Sequence, residues 1–205
     1  MKVLVDASVL SDAVHLRPAQ EIRTVEWGGV SQTWSAAVLE PKGPEAPWLQ
    51  DQIDALPAIA AFAKAGHLQL YTSPELDVEL WEGPPDAIRR TSLSLFEGVA
   101  LAHAPAPFKY TRVVASYMDK KGDAKARRKQ FFAGLSEPRL DELRRALGAN
   151  KAADAFHILT AERAGLDVFL TNDRRLLNTL AHVKLKVAVR VIAPVQLLEI
   201  LSRAV

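Results

Sequence analysis

The segment Asp167-Val168-Phe169-Leu170-Thr171-Asn172-Asp173 reads as a strand over 167–171, a turn at Asn172-Asp173, and then a helix starting over 174–181. A short apolar run ended by polar turn residues is the mark of a strand covered on both faces, as in a parallel sheet. The chain opens in the same way. Residues 2–5 (Lys-Val-Leu-Val) form an apolar run that stops at Asp6, and Val9, Leu10, Ala13 and Val14 follow at helical spacing over 7–16.

The same alternation extends outward. Asn150 is placed to cap a helix over 151–164 that Gly165 closes, residues 186–192 form a further strand, and Pro194 opens a terminal helix. Upstream, 68–72 is the second strand. Ser73 is the N-cap of the next helix, Pro74 its first residue, and Glu79 and Leu80 lie in its second turn before Gly83-Pro84-Pro85 stops it. Residues 98–102 offer a third strand within a stretch, 84–148, that otherwise reads as helical and polar. Breaks are expected there at Gly122, Gly134 and Gly148, with Ser136 capping a helix through Leu140, Leu143 and Leu147. Residues 49–65 read as a helix bent or broken at Pro57. From 17 to 48 the pattern dissolves into a loop, with Trp27, Trp34 and Trp48 expected to pin it to the body; base stacking is their alternative role. Strands alternating with helices imply one α/β domain over 1–205 with a mainly parallel sheet, elaborated by a loop at about 17–48 and helices at about 84–148.

Composition excludes several functions. The 205 residues contain no cysteine, so a disulfide framework, a thiolate zinc site and a cysteine nucleophile are all ruled out. The opening residues lack the pattern of a signal peptide, and no apolar run reaches the roughly 20 residues that span a bilayer, so a cytoplasmic protein without a membrane segment is expected. A net charge of +2 is too mild to argue for nucleic acid. Its distribution says more, because Lys120, Lys121, Lys125, Arg127, Arg128 and Lys129 fall within ten residues. That block is either a phosphate-binding patch or a solvated helix face. Neither a Gly-rich phosphate loop nor a Gly-x-Ser-x-Gly elbow is present.

The acids carry the chemistry. Asp6 and Asp173 each follow a strand at its carboxyl end, where open α/β sheets bind their ligands. Asp154 stands in the first turn of its helix, a position that also suits the helix dipole, and Glu79 stands between apolar neighbours on the helix after the second strand. Clustered carboxylates raise one another's pKa, and a divalent cation relieves that repulsion. Hard oxygen ligands without cysteine favour Mg2+ or Mn2+, which can activate water against a phosphodiester. His157 shares a helix face with Asp154 and is either a core histidine or a proton-transfer group.

Four segments resemble the PIN-domain nuclease family, which includes the toxin ribonucleases of toxin–antitoxin pairs. They are Val3-Leu-Val-Asp6-Ala-Ser8-Val-Leu10, Leu70-Tyr-Thr-Ser73 through Glu79-Leu80, Asp154-Ala-Phe-His-Ile-Leu-Thr-Ala161, and Asp167-Val-Phe-Leu-Thr171-Asn172-Asp173-Arg-Arg-Leu176. The resemblance implies a three-layer α/β/α fold and an Mg2+- or Mn2+-dependent endoribonuclease. Its catalytic and metal-binding acids would be Asp6, Glu79, Asp154 and Asp173, with Ser8, Thr171 and Asn172 in support. It also implies RNA as substrate, a small antitoxin protein as partner and a homodimer. Two departures stand out. The chain is longer than compact toxins of this kind, and no further acid follows Asp173 closely. Glu75 and Asp77 remain alternatives to Glu79, and a catalytically silent module that binds RNA or a partner protein remains the alternative function.

Overall fold

The computed structural model describes residues 1–14, 16–41, 45–82, 94–112 and 121–203. In chain order the elements are β1 (Lys2–Val5), α1 (Ala7–Asp12), β2 (Leu16–Trp27), β3 (Val30–Pro41), α2 (Pro47–Lys64), β4 (Gln69–Thr72), α3 (Pro74–Glu82) and β5 (Leu101–His103). They continue with α4 (Lys121–Gly134), α5 (Pro138–Leu147), a 3₁₀ turn at Ala149–Lys151, α6 (Ala152–Arg163), β6 (Val168–Leu170), α7 (Arg174–His182), β7 (Arg190–Ile192) and α8 (Pro194–Arg203).

The apolar runs become a five-stranded parallel sheet in the order β5-β4-β1-β6-β7. Successive side chains of a strand point to opposite faces, and this separates two cores. Val3, Val5, Leu70, Val168 and Leu170 pack with residues of α1, α2 and α8 on one face. Leu4 and Phe169 pack with residues of α3 to α7 on the other. The result is a three-layer α/β/α fold. Val3, Leu4, Val5 and Leu170 are fully buried, and each such side chain contributes roughly 1.5–3 kcal/mol through apolar burial.

The order also locates a crevice. From β1 the chain builds outward through β4 and β5, then crosses to the other side of β1 for β6 and β7. The reversal falls between β1 and β6, the kind of switch point at which parallel sheets open to a ligand at their carboxyl ends.

Several local expectations are corrected. The expected loop at 17–48 contains a long antiparallel ribbon, with β2 and β3 paired from Leu16↔Pro41 to Trp27↔Val30. Two runs rich in Val, Thr, Ile and Trp flank a two-residue Gly28-Gly29 turn. Both glycines have positive φ (61° and 81°), as the tightest hairpin turns require. The tryptophans of this ribbon do not pin it to the body: Trp27 is 87% exposed and Trp34 46%, whereas Trp48, on α2, lies under the Arg174 guanidinium. Helix α2 runs through Pro57 without a break. Glu137, not Ser136, caps α5, accepting the Leu140 N–H at 2.8 Å. Asn150 lies in the 3₁₀ turn, so α6 starts after Lys151 with no side-chain cap. The last strand is confined to 190–192, and Gly122 lies in the first turn of α4 rather than at a break. The expected stop at Gly83-Pro84-Pro85 lies outside the described residues. No described helix is long and apolar enough to cross a membrane.

Candidate acidic site at the switch point

The ends of β1 and β6 are tied by hydroxyl groups. Ser8 Oγ and Thr171 Oγ1 both donate to Asp6 Oδ2, at 2.6 and 2.7 Å. Ser8 Oγ accepts the Asn172 N–H at 3.2 Å, and Thr171 Oγ1 accepts the Asp173 N–H at 3.0 Å. Asn172 Nδ2 donates to Asp12 Oδ2 at 2.8 Å, while its Oδ1 is buried with no partner among the described residues. Ser8 and Thr171 therefore orient Asp6, and Asn172 ties the backbone at the end of β6 to Ser8 and, through its side chain, to Asp12. Asp6 Oδ1 receives no hydrogen bond from any described residue.

Burial pushes the Asp6 carboxyl above its ordinary value, the two hydroxyl donors and His157 draw it back without cancelling the rise, and the charge of Glu79 adds to it. Asp154 behaves alike: burial raises it, Lys151 lowers it, and Asp6 raises it again. The first and third acids of the sequence pattern thus share one electrostatic field.

The other two acids are engaged. Asp173 is the N-cap of α7, its Oδ1 accepting the N–H groups of Arg175 and Leu176 at 2.8 and 3.0 Å. Its Oδ2 accepts from the Lys151 ammonium, which also lies 3.1 Å from Asp154 Oδ2. Burial would raise Asp173, but Lys151 and the two amides outweigh it and hold the carboxyl below its ordinary value. Glu79 pairs with Arg128 through Oε1 at 3.0 Å, and its Oε2 lies 3.3 Å from His157 Nε2. Here too burial is outweighed, by His157 and then Arg128, and Glu79 titrates low. His157 is 1% exposed and packs against Phe132, Phe156 and Phe169, so it is a core histidine that also orients Glu79.

The alternatives to Glu79 are occupied elsewhere. Glu75 forms a buried ion pair with Arg112, whose guanidinium stacks 4.9 Å from the Phe131 ring centre. Asp77 accepts from Thr72 at 2.7 Å and lies 2.9 Å from His103.

Of the basic block, Lys120 and the side chains of Lys121 and Lys125 lie outside the described residues. Lys129 is exposed, Arg127 lines a shallow hollow with Thr111 and Phe131, and Arg128 turns to Glu79. The block therefore reaches the acidic site through Arg128 rather than lying apart from it. Lys151 was missed by sequence reasoning. Its i,i+3 spacing to Asp154 was visible, but its contact with Asp173 spans 22 residues and a strand.

Carboxylate oxygens are hard donors, of the kind that prefer Mg2+ or Mn2+. Asp6, raised by burial and by Glu79, and Asp154, raised by burial and by Asp6, are the acids whose ionised forms such an ion would favour. Among the described residues no three His, Asp or Glu side chains are arranged to hold a metal, and Lys151, Arg128 and His157 engage Asp154, Asp173 and Glu79. No known protein family, curated protein or solved structure matches the chain.

Proposed function

We propose that this chain is a metal-dependent endoribonuclease of the PIN type, in which Asp6 and Asp154 would hold Mg2+ or Mn2+ at the β1/β6 crevice. The observation that carries the reading is the pair itself: two carboxylates at a switch point, both raised by burial, with the charge of Asp6 raising Asp154 further. When bound, the ion would activate water and stabilise charge building on a phosphodiester. The chain's own residues act around it. Ser8 and Thr171 orient Asp6, Lys151 neutralises Asp173 and part of Asp154, and Arg128 and His157 hold Glu79 beside them. The ordered acids and Leu170-Thr-Asn-Asp173 support a relation to toxin nucleases. With that relation come a small antitoxin protein as partner, a homodimer and a cytoplasmic location.

A second reading is favoured by a specific feature. Because Lys151, Arg128 and His157 already engage three of the four acids, a catalytically silent RNA-binding module fits the same site. Incubation with single-stranded RNA, with Mn2+ or with chelator, separates the two. Metal-dependent cleavage supports the nuclease; RNA binding without cleavage in either condition supports the silent module.

A further inference from the structure

The acid expected to complete a metal site, Asp173, is held on both of its oxygens. Oδ1 caps α7 through two backbone amides, and Oδ2 contacts the Lys151 ammonium. The same ammonium lies 3.1 Å from Asp154 Oδ2. Lys151 occupies the 3₁₀ turn that leads into α6, so its position is set by backbone, and its side chain is only 21% exposed. It neutralises two carboxylates from different elements, α6 and the start of α7, and this is what a bridging cation does between acids. The oxygens left without a hydrogen bond from any described residue are Asp6 Oδ1, Asp154 Oδ1 and the buried Oδ1 of Asn172, whose backbone N–H is bonded to Ser8.

We propose that Lys151 is a resident cation that stands in for a divalent ion between Asp154 and Asp173, leaving the Asp6 side of the crevice as the one place for a metal. This rests on the metal-dependent reading above and deepens it: the site takes one ion, not two. It also accounts for a sequence that places Arg174, Arg175, Leu176, Leu177 and Asn178, and no acid, directly after Asp173. A second ion held there would need a further hard ligand, whereas an ammonium needs only the two acids it already has.

Calorimetric titration of the metal-free protein with Mn2+ tests this without reference to activity. Wild type is expected to bind one ion per chain. Lys151→Met, which keeps most of the stem and removes the charge, is expected to bind one ion more than wild type, or the same ion about tenfold or more tightly. Lys151→Arg should keep the wild-type number, and matching far-ultraviolet circular dichroism shows that each variant is folded. No ion in wild type with one in Lys151→Met would support the stand-in role while contradicting the metal-dependent nuclease. Two ions in wild type, or the same number at unchanged affinity in Lys151→Met, would overturn the inference.

Discussion

Thr171 donates its hydroxyl to Asp6 Oδ2 at 2.7 Å and so joins the ends of two neighbouring strands through one fully buried side chain. Its oxygen also accepts the Asp173 N–H, so a single hydroxyl orients the central acid and fixes the start of α7. Thr171→Val keeps the shape and removes both bonds. A destabilisation of about 1–3 kcal/mol is expected in urea unfolding, because Asp6 loses one of its two hydroxyl donors and the part-buried Asp173 N–H loses its acceptor. An unchanged unfolding midpoint would show that the hydroxyl is dispensable.

The pH dependence of the metal-free protein follows from the directions of the shifts. Burial holds Asp6 and Asp154 above their ordinary value, so the folded state binds these protons more tightly than the unfolded chain. Stability from this source is present below the unfolded value near ~3.9 and is lost as pH rises through the raised folded value. Glu79 and Asp173, held low, work in reverse: their contribution is present above the unfolded value and lost as pH falls through the folded one. Asp6→Asn retains an acceptor oxygen for Ser8 and Thr171 but cannot ionise. In chelator at about pH 7.5 it should therefore melt higher than wild type, and the difference should shrink as pH falls toward ~4. A variant that melts lower at every pH would count against a costly charge at position 6.

Much of this site was legible in the chain because its strands are buried on both faces. Val3-Leu-Val and Val168-Phe-Leu are apolar runs that end in polar residues, and those ends define the crevice. The bond from Ser8 to Asp6 and the capping by Asp173 are local and follow from residue type, whereas the bond from Thr171 to Asp6 depends on the pairing of β1 with β6. Lys151, Arg128 and His157 were harder to see as partners of the acids, since their contacts depend on how α4, α6 and α7 pack. The ribbon failed for a different reason. Its prolines and tryptophans masked two β-rich runs around Gly28-Gly29, a signal that was present.

A buried charge pair makes the next case. Glu75 is 3% exposed and is paired with Arg112, which stacks on Phe131. Arg112→Met strands a buried carboxylate and should cost about 3–5 kcal/mol in denaturant unfolding. Adding Glu75→Leu to that variant should recover most of the loss, since replacing both partners leaves no unpaired charge. A double variant as unstable as the single one would contradict this account of the pair.

The ribbon tip predicts the opposite behaviour. Trp27 stands almost wholly in solvent, so Trp27→Ser should change stability by no more than about 0.5 kcal/mol. Leu170→Ala, in the sheet core, should cost about 2–5 kcal/mol under the same conditions. A large loss at Trp27 in thermal unfolding would mean that the residue packs against something.

The most direct test of the account is the rate of single-stranded RNA cleavage at saturating Mn2+ for wild type and Asp6→Asn, with folding of both verified. The account predicts cleavage by wild type and a loss of roughly 100-fold or more in the variant. Cleavage by Asp6→Asn at the wild-type rate would contradict it.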